Sequence, residues 1–391
     1  MDNVLFFHCH ILFYSSSFNL LHHVLSNSST SSSSSASVTT RGFQRNIIKT
    51  FDITMAEESV EVLEYIGFIP DAARLIYDRY CNRPSPSQNP DDLMAYVSGH
   101  LASLNLRQYD NMSPQEALAH VGLNRQIQEG ITDPRFSHIF GTQTLVYWAK
   151  DTVETNYAAL LSQQQLLQSH ANQRMAHVVV QPDTDILAEH ISLYKGKAYL
   201  ELGQPGDIIE SDGRVNLSTL RIPPGGDFNW NFNAQYWTPE KETPEEYRKF
   251  VERRCPIADT CIIHIQVPQS FINNSRWEDL WYSPSWKEYI WTCRKEQMPD
   301  PKFDYLWKPG QADVVRGPIF STISGQIVRI RKENVQSHIS EDNVMRLPSG
   351  KKACQWVFIQ DDTINRLAEQ IRGKMHFIIF EAAARSSMTT V

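Results

Sequence analysis

The chain has 391 residues, enough for two or three domains. Hydrophobic residues make up 41% and charged residues 21%, as in ordinary globular proteins, and a net charge of -7 excludes the basic field of a nucleic-acid binder. Six scattered cysteines without a repeating spacing exclude a disulfide framework and favour reduced thiols in the cytoplasm.

Residues 1–57 read as a disordered Ser-rich tail. Before Lys49 the single acid is Asp2, and Ser31 to Ser35 is a homopolymer that buries too little surface to fold. His8, His10, His22 and His23 interrupt the apolar residues between 4 and 25, which argues against a membrane span. The stretch lacks the basic start of a secretory signal. A Ser-rich, acid-poor leader with Arg41 and Arg45 is the alternative reading, a mitochondrial transit peptide. Met55-Ala56-Glu57-Glu58 resembles a natural start of translation.

Residues 58–174 read as helical. Pro70 suits a first turn, with Ala72, Leu75, Ile76 and Tyr80 on one face. Asn89-Pro90-Asp91-Asp92 opens a helix striped by Leu93, Val97, Leu101 and Leu104. Ser113-Pro114-Gln115-Glu116 is a capping box. Between Gly141 and Pro182 the pattern predicts one helix of about thirty residues, ~45 Å long, with its last turns in solvent. That helix serves either as a surface for a protein partner or as packing within its own bundle.

Residues 177–380 read as an α+β domain. Ala176 to Val180 is β-branched, Pro182 to Asp185 is turn-like, and Ile191-Ser192-Leu193-Tyr194 leads into Lys195-Gly196. Residues 203 to 226 predict a long surface loop. Thr243-Pro244-Glu245-Glu246 predicts a second capping box, opening a helix that ends near Arg253-Arg254. Thr260 to Val267 is the best strand, with Ile263, Ile265 and Val267 on one face. Cys261 and His264 then point to opposite faces, which argues against a metal site with Cys255. The aromatic run from Trp277 to Trp307 is either a box for a base or sugar or a seal over a small sheet; helical spacing at Trp286, Tyr289, Ile290 and Cys293 favours the seal. Strands follow at Asp313–Ile319 and Gln355–Ile359, with a run from Gln326 to Ile330 between them. Asp361-Asp362 predicts a helix cap, and Met375–Phe380 a last strand. Strands and helices are mixed rather than alternating, which argues α+β over a doubly wound fold.

The order of these pieces resembles the ADP-ribosyltransferase superfamily, and most of all a branch of unknown function from microbes and fungi. The carriers are Leu193-Tyr194-Lys195-Gly196, Asp227-Phe228, Tyr236-Trp237-Thr238, Trp286 to Tyr289 with Arg294, Asp313 to Ile319, and Gln355-Trp356. The resemblance implies a split, mixed β-sheet around a cleft, with NAD as substrate. In active members a carboxylate stabilises the oxocarbenium-like ribose as nicotinamide leaves. It further implies Tyr194, Lys195, Tyr236, Thr238 and Gln355 as cofactor-binding residues.

The chain departs from the family twice. Lys195 stands where His or Arg is expected, a point charge without the planar fork. Its own residue type also fits an exposed lysine at a strand end. Val357 stands where an active enzyme would carry Glu, and the acids nearest in sequence are Glu341, Asp342, Asp361 and Asp362. The expectation is therefore a catalytically altered, NAD-binding relative. An active mono-ADP-ribosyltransferase and a non-catalytic interaction module are the alternatives. Tyr236 stacks on nicotinamide or packs under the sheet; Gln355 contacts ribose or makes ordinary edge hydrogen bonds.

Overall fold

A computed structural model describes residues 35–42, 47–54, 58–82, 91–105, 109, 111–168, 186–202, 208–209, 214–322, 327 and 329–382. The runs expected at Ala176–Val180 and Pro182–Asp185 lie outside the described residues, as do Asn89 and Pro90. The chain is mixed α and β, as its patterning predicts. Among the described residues no helix is long and apolar enough to cross a membrane.

Ser35–Gly42 (β1) and Ile47–Thr54 (β2) pair as an antiparallel hairpin.

The helical region begins with α1 (Val60–Ile66) and α2 (Pro70–Cys81), where Pro70 takes the first helical position as expected. In α3 (Leu93–Ala102) the cap is Asp92, whose side chain accepts from the Ala95 N–H. The capping box at Ser113 and Glu116 opens α4 (Pro114–His120), and Asn124 caps α5 (Arg125–Ile131). The longest helix among the described residues is α6 (Leu145–Gln168), 24 residues and therefore ~36 Å, and the rest of the predicted span lies outside the described residues.

The second region starts with β3 (His190–Ala198), followed by β4 (Gln235–Trp237), α7 (Glu242–Arg254) and β5 (Thr260–Pro268). Then come β6 (Trp277–Asp279), α8 (Pro284–Arg294), β7 (Val314–Pro318), β8 (Cys354–Phe358), α9 (Asp361–Gln370) and β9 (Met375–Phe380). Two expected caps differ. Thr243 lies inside α7, with Lys241 at the N-cap, and its hydroxyl donates to Glu240 instead. Gln360 is the N-cap of α9, so Asp361 and Asp362 sit in the first turn and favour the helix dipole.

Among the described residues the strands of this second region form two sheets. One has the order β3-β5-β9, the other β4-β8-β7-β6. All pairings are antiparallel except β6 with β7. A single bridge joins the sheets: the Tyr194 N–H donates to the Thr238 carbonyl at 2.8 Å, and the reverse bond is 3.0 Å. Lys195 and Gly196 follow that bridge and line a cleft, with the Pro244 backbone of α7 lying close against Gly196.

The helices pack into that same body. One apolar core holds Leu63, Ile127, Ile139, Trp148 and Val153 together with Phe250 of α7 and Ile319, Met345, Leu347 and Ala353 from the sheet region. Two ion pairs reinforce the join, Arg253–Asp133 at 2.6 Å and Arg254–Asp151 at 2.7 Å, with a hydrogen-bonded contact between His138 Nε2 and Glu246 at 3.1 Å. The Trp-rich stretch is core, as helical spacing predicts: Trp286, Tyr289 and Phe303 are buried in one cluster. Because Phe250 joins helices to sheet, Phe250→Ala is expected to cost about 3–5 kcal/mol. Far-UV circular dichroism and tryptophan fluorescence are expected to report one shared denaturation midpoint, lowered together; two separate transitions would contradict a common core.

Candidate functional site

The cleft at the sheet split is built on one buried network. The Asp227 carboxylate accepts from Arg294 Nε at 2.8 Å and Nη2 at 2.5 Å, from Gln355 Nε2 at 2.7 Å and from the Phe320 N–H at 2.9 Å. Arg294 and Asp227 have side chains 3% and 2% exposed. The guanidinium also donates to the Thr142 carbonyl at the entry to α6. Three separate stretches singled out in the sequence, Asp227-Phe228, Trp286 to Arg294 and Gln355-Trp356, are thus tied by one carboxylate.

Local sequence sets each arm. Gly225, at φ +89°, turns the chain ahead of Asp227. Gly226 lets the backbone lie against Asn229 and Tyr236, since a Cβ there would stand 2.2 Å from Asn229 Oδ1. Ser283 caps α8 by accepting from the Trp286 N–H, and Arg294 falls in its last turn. Glu240 accepts from Thr243 Oγ1 and from the Cys354 N–H, so the start of α7 is anchored to β8.

Tyr194, Lys195, Tyr236, Thr238 and Gln355 all line one cleft of about 130 Å³. A larger hollow of about 500 Å³ lies elsewhere, lined by Arg329, Arg331, Asn334 and His338. It contains none of those five residues, and these four lining side chains are exposed or adjoin residues outside the described set. The chemistry gathers in the smaller space.

The five residues play different parts from those first expected. Lys195 is 9% exposed, which overturns the exposed strand-end reading. Its amine donates to the Leu220 carbonyl at 2.5 Å and lies 5.8 Å from the Trp237 ring centroid. Burial, reinforced by the nearby Lys197 charge, holds its pKa well below the ordinary value. The long surface loop expected at 203–226 is likewise corrected where it is described, since Leu217 and Leu220 pack in the core beneath Lys195. The Tyr194 ring stacks on His264 at 4.7 Å, across the β3–β5 pair. Thr238 works through its backbone bridge and through a hydroxyl that donates to the Glu240 carbonyl at 3.2 Å.

Tyr236 has its hydroxyl satisfied, donating to Asn229 Oδ1 at 2.7 Å and accepting from the Phe228 N–H at 2.9 Å. Its ring packs against the aromatic core, and burial raises its pKa well above the ordinary value. Gln355 sits on an interior strand and donates to Asp227 and to the Pro318 carbonyl, so the edge position expected of it is corrected. Val357 is fully buried on the same face of β8.

Sequence reasoning missed the helical wall of the cleft. Gln143, Tyr147, Trp148 and Asp151 line it from α6 and its entry, with Tyr247 and Arg254 from α7. The available signal was Asp151 placed one turn after Tyr147 on the inward face, a buried position that costs free energy unless paired. It is paired, 2.7 Å from Arg254 Nη2. Burial raises the Asp151 pKa even so. Beside it Lys197 meets Glu201 at 2.6 Å; burial works against both charges, but the pairing prevails, raising the lysine pKa and lowering that of the glutamate. Burial also pushes the Tyr247 hydroxyl up to about 12. The acids flagged beforehand lie outside the cleft: Glu341 pairs with Lys352, and Asp361 with Arg221.

No protein-family model, curated protein or solved structure matches this chain. Among the described residues no cluster of His, Cys, Asp and Glu is arranged to hold a metal ion.

Two outcomes follow from the electrostatics. Arg294→Met leaves the Asp227 carboxylate buried without its cation and is expected to cost about 3–5 kcal/mol. Pairing it with Asp227→Asn is expected to cost less than the sum of the single changes, as a double-mutant cycle in denaturant would measure. Lys195→Met is expected to stabilise the fold at neutral pH, because the folded state disfavours the charged amine. The unfolded chain binds the extra proton between the depressed folded pKa and the ordinary 10.5, so wild-type stability rises with pH across that window. The advantage of the variant should therefore shrink toward its upper end, measured by denaturation at several pH values.

Proposed function

We propose that residues 177–380 form an ADP-ribosyltransferase-like module that seats the nicotinamide–ribose end of NAD without cleaving it. The observation that carries this reading is the meeting of Tyr194, Lys195, Tyr236, Thr238 and Gln355 in one cleft at the split between two sheets. Three of the sequence pieces that carry the resemblance, Asp227-Phe228, Trp286 to Arg294 and Gln355-Trp356, meet at the Asp227 network, which supports the reading.

The size of the cleft limits what enters. About 130 Å³ equals the liquid volume of about four waters, a space on the scale of one small ring and too little for a whole dinucleotide. The adenosine half would lie outside. The walls suit a flat ring: Trp148 and Trp237 supply apolar faces, and Lys195 supplies a buried donor.

Cleavage needs a carboxylate free to face the developing ribose cation. The cleft has three, and each is held by a cation: Asp227 by Arg294, Asp151 by Arg254 and Glu201 by Lys197. Val357 keeps the expected glutamate position apolar. Lys195 serves poorly as a countercharge to pyrophosphate, since burial favours its neutral form.

Calorimetry on the full chain is expected to show saturable binding of both NAD and nicotinamide, with no nicotinamide released from NAD. Lys195→Met is expected to weaken both about tenfold, the equivalent of about 1.4 kcal/mol, while the fold persists. Failure of either compound to bind would overturn the reading, and sustained nicotinamide release would replace it with an active transferase.

A further inference from the structure

The charges that line the cleft have a sum, and that sum has a sign. Asp151, Glu201 and Asp227 line it, and each carboxylate is bound to a cation that lines it too: Arg254 at 2.7 Å, Lys197 at 2.6 Å and Arg294 at 2.5 Å. Those pairs cancel. Lys195 adds one positive charge when protonated and none when neutral, so the described walls carry either no net charge or a single positive one. In neither state are they negative. Burial keeps the lining hydroxyls of Tyr147, Tyr236 and Tyr247 in their uncharged form by raising their pKa values.

Aromatic faces are the other groups that attract a cation. Trp148 and Trp237 line the same space, and each already has a protein cation over its ring. Arg254 stands 4.8 Å from the Trp148 centroid, and Lys195 stands 5.8 Å from that of Trp237. A cation entering from water therefore meets no free carboxylate among these walls, and both indoles already hold one. It would lose its hydration in a small space and gain no countercharge, which is costly.

The nicotinamide ring has two charge states. In NAD it is a pyridinium with one positive charge. In NADH it has gained a hydride and is neutral, with the same carboxamide and almost the same size. We propose that the cleft selects the uncharged ring, so that NADH is its preferred dinucleotide and NAD the weaker one. The inference rests on the nicotinamide seat proposed above and names the redox state that the seat takes. The ion pairs then have a role in specificity: they deny a pyridinium its countercharge and leave a neutral ring its apolar contacts. The adenosine halves of the two dinucleotides are identical, so they cancel in the comparison.

Calorimetry on the full-length chain near pH 8 compares two pairs of compounds. One is NADH with NAD; the other is 1-methyl-1,4-dihydronicotinamide with 1-methylnicotinamide. The members of each pair differ by a hydride and hence by one charge. NADH is expected to bind about tenfold tighter than NAD or better, and the small pair is expected to follow the same order. Equal affinities within either pair, or tighter binding of the cation, would overturn the charge selection and leave the seat in place. Absence of binding by all four compounds would remove the seat and the selection with it.

Lys197→Met leaves Glu201 without its cation and so offers the space a free carboxylate. The variant is expected to lower the preference for NADH over NAD by about threefold or more, with thermal unfolding confirming the fold. An unchanged ratio in a folded variant would overturn the role of the paired charges. If the variant does not fold, the two wild-type ratios decide the matter.

Discussion

The buried contact between Asp227 and Arg294 is the constraint on which the rest depends. A carboxylate and a guanidinium this deep are tolerable only when nearly every hydrogen-bonding site is used. Here Gln355 and the Phe320 N–H complete the carboxylate, and the Thr142 carbonyl takes a donor from the guanidinium. That requirement pulls a Gly-rich turn, the end of α8, an interior strand and the entry to α6 to one point. The cleft is the space left beside them.

The network also explains why the helical region belongs to the same body as the sheets. Arg294 reaches across to Thr142, Arg254 to Asp151, and Phe250 fills a core shared with Trp148. A wall of α6 therefore closes the cleft, and the space inside is small. Polar groups in such a space act more strongly than in water, which is why burial moves the ionisation of Lys195, Tyr236 and Asp151. At Lys195 burial works against stability, because the fold disfavours the charged amine.

Much of the architecture was legible in the chain. Proline at the start of α2, the Ser113 capping box and the alternation from Thr260 to Pro268 each mark local structure, because backbone hydrogen bonds and side-chain periodicity act over a few residues. The five cleft residues were legible through the order of short motifs. The first turn of α7 was misread, because Thr243 found a partner in Glu240 rather than in its own helix.

By itself the sequence determined the element types, the alternation that buries one face of β5, and the absence of a glutamate at Val357. Tertiary structure alone decided which charges neutralise one another. Asp227 and Arg294 are separated by 67 residues, and Asp151 and Arg254 by about a hundred, so no local pattern reports their meeting. Whether Lys195 stands in water or beneath Leu220 and Trp237 depends on a fold that must first close around it. Burial is a property of the assembled body, and it is burial that shifts the ionisation of an otherwise ordinary lysine.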